Sequence, residues 1–122
     1  MNRDGAITLR VRDVLDMRGT AVKIGLAIHC AQMKLDAQVV ADANYYCPLK
    51  TGTLQKSAVI GTVMGSGLVV WRTPYARKQY YGVEFDRSRD PNPNACARWF
   101  EAAKARRLGE WKRVVDEAIK DC

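Results

Sequence analysis

Hydrophobic residues recur at three- and four-residue steps in one long segment near the start of the 122-residue chain. This spacing places them on one face of a helix; they are Ile24, Ile28, Ala31, Leu35 and Val39. Thr20 is of a type favoured at a helix N-cap, and Pro48 and the residues before it resist helical geometry. We therefore predict a long amphipathic helix over about residues 20–44, with its apolar face in the core.

A second helical pattern covers about residues 95–119, near the end of the chain. Its apolar positions are Trp99, Phe100, Ala103, Leu108, Trp111, Val115 and Ile119. Gly109 interrupts this pattern, and a glycine inside a helix costs about 1 kcal/mol relative to alanine. We predict a C-terminal helix with a break or bend at Gly109.

An alternation of apolar and polar residues, typical of a half-buried strand, marks residues 7–12. An apolar, β-branched run at 57–64 is separated by Gly65-Ser66-Gly67 from a second apolar run at 68–71. This arrangement predicts a β-hairpin over residues 54–71. Because a lone hairpin is only marginally stable, we expect the strand at 7–12 to join it and a helix to cover the sheet.

These elements predict an α+β fold: a small antiparallel sheet packed against the N-terminal and C-terminal helices. Pro74 and Gly82 bound a segment of the length of one or two helical turns. The following residues 83–94 are polar, carry two prolines and are expected to form a flexible loop. The length of the chain is that of one ordinary domain, so residues 1–122 are predicted to form a single domain.

The net charge of +7 is concentrated in one part of the chain. Residues 72–113 hold eleven Arg or Lys against five Asp or Glu, whereas the rest holds nine against eight. Such a surplus is compatible with nucleic acid, with an acidic protein surface and with plain solubility. No apolar run approaches the roughly 20 residues of a membrane span, and no apolar signal-peptide core is present. We therefore expect a soluble protein made in the cytoplasm.

The residue types needed for catalysis or metal binding are scarce. His29 is the only histidine, and no phosphate-binding glycine motif occurs. The four cysteines lack a C-x-x-C spacing and are expected to be free thiols; they are Cys30, Cys47, Cys96 and Cys122. Asp36 and Asp42 are six residues apart, on different faces of the predicted helix. We expect no catalytic residues, no cofactor and no metal.

All tyrosines and tryptophans fall in three short clusters, near residues 45–54, 71–82 and 97–111. Aromatic side chains complete a small core or form an interface, and the sequence is compatible with both. Several arginines and lysines are interleaved with these aromatics, a combination that suits nucleic-acid or protein contacts. No motif for reading a base sequence is present.

The order of these motifs resembles a known family. The matching strings are Cys47-Pro48-Leu49-Lys50-Thr51-Gly52-Thr53-Leu54, the segment from Trp71 to Gly82, and the segment from Arg98 to Lys104 followed by Trp111. They resemble the small minor capsid proteins encoded in the head–tail gene region of long-tailed bacteriophages and prophages, which are similar to neck or tail-completion proteins. The resemblance covers about residues 7–119.

The resemblance implies a structural virion protein at the head–tail junction, without catalysis, synthesised in the bacterial host cytoplasm. It implies a homo-oligomeric ring around the DNA passage, with portal-side connector and tail proteins as partners. Head-to-tail contacts that close produce rings, and an exposed hairpin edge would offer one such contact. The hairpin 54–71, the segment 72–82 and the loop 83–94 are the candidate contact surfaces.

Two sets of residues follow from this interpretation. The candidate interface or DNA-channel residues are Arg72, Arg77, Lys78, Arg87, Arg89 and Arg98. The candidate structural motif comprises Pro48, Thr51, Gly52, Leu54, Trp71, Pro74, Tyr75, Tyr80, Tyr81, Gly82, Trp99 and Trp111. The alternative is a small basic protein that binds nucleic acid without sequence preference. Its patch would comprise Arg72, Arg77, Lys78, Arg98, Arg106 and Arg107.

Overall fold

The fold is α+β, as predicted, with four helices and a two-stranded sheet in the part of the chain that the computed structural model describes, residues 5–11, 25–49 and 52–121. In chain order the elements are β1 (Ile7–Arg10), α1 (Gly25–Asn44), α2 (Thr53–Gly61), β2 (Leu68–Trp71), α3 (Ala76–Tyr81) and α4 (Trp99–Asp121). No helix within these ranges is both long and apolar enough to span a membrane.

Helices α1 and α4 pack against each other along much of their length and form the largest contact in the fold. Leu35 and Val39 of α1 are buried in the same core as Trp111 and Val115 of α4. The predicted helix at 20–44 is confirmed from Gly25 onward, and residues 20–24 lie outside the described ranges.

Helix α4 begins at Trp99, later than the predicted residue 95, and continues to Asp121. The backbone of Arg98 has a φ of 50°, a left-handed conformation that does not continue a helix, so α4 begins immediately after it. The predicted break at Gly109 is wrong. A side chain at that position would meet no atom within 4 Å, so no neighbouring group forces a bend there.

Strands β1 and β2 pair antiparallel, with Ile7 opposite Trp71 and Leu9 opposite Val69. Ile7, Val69 and Trp71 are buried, which agrees with the predicted half-buried strand at the start of the chain. The strand predicted over 7–12 spans Ile7–Arg10, and residue 12 is not among the described residues.

The predicted hairpin over 54–71 is wrong, because the first of its two strands is helix α2. Leu54 and Ala58, one helical turn apart, are the buried residues of this helix. The β-branched residues Val59 and Ile60, which favoured a strand, are exposed to solvent instead. Burial at helical spacing therefore outweighs the strand preference of these side chains.

Helix α2 lies beside β2, where hydroxyl groups accept hydrogen bonds from backbone N–H groups along the outer edge of the strand. Ser57 Oγ accepts the backbone N–H of Arg72 at 3.0 Å, and Thr62 Oγ1 accepts that of Val70 at 3.1 Å. In an antiparallel pair, alternate N–H groups point away from the partner strand, and here these groups are the ones that meet the hydroxyls. The open hairpin edge expected from the sequence is thus closed on the β2 side.

Asp36 holds the loop that leads into β2. Its buried carboxylate accepts the backbone N–H of Gly65 at 2.8 Å and of Gly67 at 3.0 Å. Both glycines have positive φ angles, 98° and 76°, which side-chain-bearing residues rarely adopt. The Gly65-Ser66-Gly67 segment is therefore a loop between a helix and a strand rather than a hairpin turn.

The cysteines differ from the prediction at one described position. Cys47 and Cys96 are free thiols, as expected, but Cys30 is disulfide-bonded.

Candidate functional site

The short helix α3 rests on a cluster of buried aromatic rings. Tyr80 of α3 contacts Trp99 edge to face, with ring centroids 4.8 Å apart, and Trp99 contacts Trp71 in the same manner at 5.7 Å. Such arrangements place the positive edge of one ring against the negative face of another. Strand β2, α3 and the first turn of α4 are thereby joined at one point.

The hydroxyl of Tyr80 donates a hydrogen bond to the Glu101 carboxylate of α4. Burial, and secondarily this contact with Glu101, raises the pKa of Tyr80 far above its ordinary value. The phenol is therefore neutral and acts as a donor. This bond ties α3 to α4 through side chains.

The segment between α3 and α4, residues 82–98, folds back onto the end of α3. The backbone N–H of Arg98 donates to the Tyr80 carbonyl at 2.7 Å, and Arg87 Nη2 donates to the Gln79 carbonyl at 2.6 Å. The last carbonyls of a helix have no partner within it, so these donors satisfy them. Two arginines predicted as interface residues thus also support α3.

Buried Asn92 ties the same segment to the end of α1. Its side-chain Nδ2 donates to the carbonyls of Tyr45 and Cys47, both at 2.8 Å. Asn92 is not among the residues predicted from the sequence. The sequence signal for Asn92 is its position between Pro91 and Pro93. Neither proline has a backbone N–H to donate, so the Asn92 side chain supplies hydrogen-bond donors in this segment.

Five of the six predicted basic interface residues gather around α3, and we call them the α3 basic surface: Arg77, Lys78, Arg87, Arg89 and Arg98. Arg77 and Lys78 are exposed on the helix itself. The Arg98 guanidinium lies 5.3 Å from the centroid of the Tyr81 ring, a cation–π contact. Arg72 lies apart from this group, beside Gly61 of α2.

A groove of about 530 Å³ opens beside the α3 basic surface, and we call it the α3 groove. Its apolar lining comes from Pro48, Leu54, Tyr75 and Phe85, whereas Asp86, Arg87, Arg89 and Asp90 supply charge. A second groove, of about 510 Å³, lies between α1 and α4. There Arg106 stacks on Tyr46 at 5.7 Å, and Arg107 lies 3.5 Å from the Asp42 carboxylate.

The predicted structural-motif residues have varied positions. Gly52 precedes α2 with a φ of 77°, and Thr51 lies outside the described residues. Gly82 ends α3, where a Cβ would collide with the Phe85 ring. The Pro74 carbonyl packs against Gly5. Trp111, away from α3, donates from Nε1 to the Asp42 carboxylate at 2.7 Å.

The side chains of the type that binds metal ions are dispersed in the described ranges. No group of three His, Cys, Asp or Glu within these ranges is placed to hold a metal. His29, the only histidine of the chain, is exposed and lies against Gly65. Asp36 and Asp42 face different neighbours, the loop before β2 and helix α4. Their hydrogen bonds give them roles in holding the fold.

Comparison with known proteins agrees with the resemblance seen in the motifs. The sequence profile of a family described as minor capsid protein matches residues 11–119, which is most of the chain. No curated protein and no solved structure gives a significant match. The chain belongs to the minor capsid protein family, a family of structural proteins of the bacteriophage virion.

Proposed function

We propose that this protein joins head and tail in a long-tailed phage particle and acts through protein–protein interfaces. Family membership supports the structural virion role. The head–tail position rests on the resemblance of its motifs to neck and tail-completion proteins. Its partners are further copies of itself, a portal-side connector and tail proteins.

The observation that carries this proposal is the α3 basic surface on its rigid aromatic support. Within the described residues, Arg77, Lys78 and Arg89 form no ion pair, so their charge is available to an anionic neighbour. Tyr80, Trp71 and Trp99 hold α3 in place beneath this surface. In a ring around the DNA passage, these cations face either DNA phosphates or an acidic surface of an adjoining protein.

Removal of the gene from a phage or an inducible prophage tests the proposal. We expect DNA-filled heads and tails to appear separately in electron micrographs, and a plasmid copy of the gene to restore joined particles. Mass spectrometry of purified virions should find the protein. Joined, infectious particles that lack the protein would refute the head–tail role.

Two cation–π pairs, Arg98 with Tyr81 and Arg106 with Tyr46, favour a second candidate, a small protein that binds nucleic acid without sequence preference. A DNA titration at two salt concentrations separates the candidates. Weak binding that falls steeply with salt fits a DNA-channel surface in a joining protein. Tight binding at physiological salt would favour the second candidate.

A charge-reversal pair localises any DNA contact. The double variant Arg77→Glu/Lys78→Glu should weaken DNA binding. It should also lower the slope of log affinity against log salt concentration by roughly two, because each lost phosphate contact removes about one unit of slope. Lys112→Glu/Lys120→Glu changes the net charge equally at exposed positions on α4 and is the matched control. Equal losses in both double variants would assign the binding to net charge rather than to the α3 basic surface.

A further inference from the structure

Two free thiols, Cys47 and Cys96, lie close together where the segment 82–98 meets the end of α1. The backbone N–H of Cys96 donates to the carbonyl of Tyr46 at 3.0 Å, and that carbonyl belongs to the peptide bond that leads into Cys47. A path from the Cys47 Cα across this peptide bond, along the hydrogen bond and to the Cys96 Cα is at most about 7 Å long, and any bend in it brings the atoms closer. Disulfides join Cα atoms about 4.4–6.8 Å apart.

The side chains of the two cysteines share one electrostatic neighbourhood. Burial, then the Asp90 carboxylate and then the Cys96 thiol raise the pKa of Cys47. Burial raises the pKa of Cys96 as well, and the guanidinium of Arg87 opposes the rise in the pKa of both thiols. Because one thiol acts on the other, and one guanidinium acts on both, these three groups lie near one another.

Hydrogen bonds hold the backbone on both sides of this contact. Gln55 Nε2 and Asn92 Nδ2 each donate to the Cys47 carbonyl at 2.8 Å. Two residues after Cys96, the backbone N–H of Arg98 donates to a carbonyl of α3 at 2.7 Å. The backbone at both cysteines is therefore fixed, so a bond between the two sulfurs requires rotation of the side chains and no rearrangement of the fold.

We infer that Cys47 and Cys96 form a site of oxidative cross-linking, at which a small-molecule disulfide converts the two thiols into one disulfide bond. The folded chain already carries an oxidised cysteine, because Cys30 is disulfide-bonded. Thiols stay reduced in the cytosol, whereas disulfides persist on virions outside the cell. The cross-link therefore forms after the particle is released, and it fixes segment 82–98 to the end of α1. This timing rests on the virion role of the family and is independent of the proposed head–tail position.

The exposure of the two side chains sets the order of the steps. Cys96 is half-buried and Cys47 is fully buried, so the oxidant meets Cys96 first. With oxidised glutathione, the Cys96 thiolate attacks one glutathione sulfur, a mixed disulfide forms and one glutathione thiolate leaves. Cys47 then attacks the Cys96 sulfur, which forms the Cys47–Cys96 bond and releases the second glutathione thiolate. The two glutathione thiolates take up the two protons, so two protein thiols are oxidised and one glutathione disulfide is reduced.

Incubation of the folded chain with oxidised glutathione tests the site. Remaining thiols are then blocked with an alkylating reagent, and the chain is digested with trypsin without reduction. Mass spectrometry should find peptide 35–50, which contains Cys47, linked to peptide 90–98, which contains Cys96. The bond closes a loop of about 50 residues, so the treated chain should unfold at a temperature roughly 5–15 °C higher than the untreated chain.

Two single variants separate the two steps. Cys47→Ala leaves Cys96 without its partner thiol, so Cys96 should retain a glutathione adduct. Cys96→Ser leaves Cys47, whose burial keeps the oxidant away, so Cys47 should acquire no adduct. The unfolding temperature of neither variant should rise on treatment. Thermal unfolding before treatment checks that each variant is folded, and Cys47→Ser replaces Cys47→Ala should that variant unfold.

Three results with the wild-type chain would overturn the inference: two free thiols after treatment, a glutathione adduct that stays on Cys96, or a new link of Cys47 or Cys96 to a different cysteine. The same linked peptides should be present in virions purified in air, and virions in which both thiols are free would also overturn it. The gene-removal experiment does not depend on these cysteines, so a failed cross-link and a failed head–tail role are distinguishable.

Discussion

The carboxylate of Asp36 in α1 accepts the backbone N–H of Gly67, 31 residues further along the chain, at 3.0 Å. The same oxygen accepts the N–H of Gly65, and Gln32 Nε2 donates to the other oxygen at 2.7 Å. A carboxylate inside the protein is tolerated only when such donors replace water. This arrangement positions the entry of β2, and hence the sheet, relative to α1.

Replacement of Asp36 with alanine should lower the free energy of unfolding by about 2–4 kcal/mol, because two backbone N–H groups and Gln32 lose their acceptor. Asp36→Asn retains one acceptor oxygen and should cost less. Denaturant unfolding measures both. Asp116→Ala, at an exposed position on α4, should change stability by no more than about 0.5 kcal/mol. An Asp36→Ala loss as small as that of the control would contradict the structural role.

The contribution of the hydroxyls at the edge of β2 to the free energy of unfolding should be measurable in the same way. Thr62→Val keeps the shape of the side chain but removes the acceptor for the Val70 N–H, with an expected loss of about 1 kcal/mol. Ser57→Ala should have a similar effect through Arg72. Thr8→Val, at an exposed position on β1, is the control. Faster amide exchange at Val70 in Thr62→Val, but not in Thr8→Val, would locate the effect.

Tyr80→Phe tests the link between α3 and α4, and its loss of the hydrogen bond to Glu101 should cost about 1.5–3 kcal/mol at neutral pH. Burial raises the pKa of Tyr80 above its ordinary value of 10.0, so above that pH the unfolded chain loses a proton that the folded chain retains. The stability contributed by the neutral phenol is therefore present below pH 10 and is lost as pH rises beyond it. The free energy of unfolding of Tyr80→Phe should fall less than that of the wild type as pH rises above 10. An identical fall in both proteins would exclude Tyr80 as its source.

Contact between α1 and α4 depends on Trp111, which stacks on Phe100 at 5.8 Å and donates to Asp42. Trp111→Ala should cost about 3–5 kcal/mol through the cavity it leaves, and Trp111→Phe should cost less because part of the ring volume remains. Thermal or denaturant unfolding compares the two. Equal losses of stability in both variants would mean that the whole effect comes from the hydrogen bond that the indole N–H donates to Asp42.

The two free thiols among the described residues, Cys47 and Cys96, should react at different rates with an alkylating reagent. Cys47 is buried, and burial raises its pKa well above the ordinary thiol value; Cys96 is half-buried, with a pKa raised for the same reason. Because the thiolate is the reactive form, Cys96 should be modified before Cys47 in the folded protein. Peptide mass spectrometry after timed alkylation checks the order. Modification of Cys47 first would contradict the burial described here.

Helices α1 and α4 were predictable because each is long enough for its apolar period to repeat several times. The boundary at Trp99 was not, since it depends on the left-handed backbone of Arg98 and on its bond to the Tyr80 carbonyl. Of the six predicted basic interface residues, five lie around α3, whereas Arg72, only four residues before that helix, lies beside Gly61 of α2. Arg106 and Arg107 could not be assigned to a separate groove, because their partners Tyr46 and Asp42 come from α1 and the residues that follow it.

Periodicity and motif order in the sequence by themselves determined the α+β class, the two long helices, the strand at the start of the chain and the family. Tertiary structure alone decided whether residues 53–61 form a helix or a strand. These nine residues form too few helical turns for their hydrophobic periodicity to distinguish a helix from a strand, and their β-branched side chains favour a strand locally. Burial of Leu54 and Ala58, together with the acceptors that Ser57 and Thr62 offer to β2, stabilises the helix only once the rest of the fold is in place.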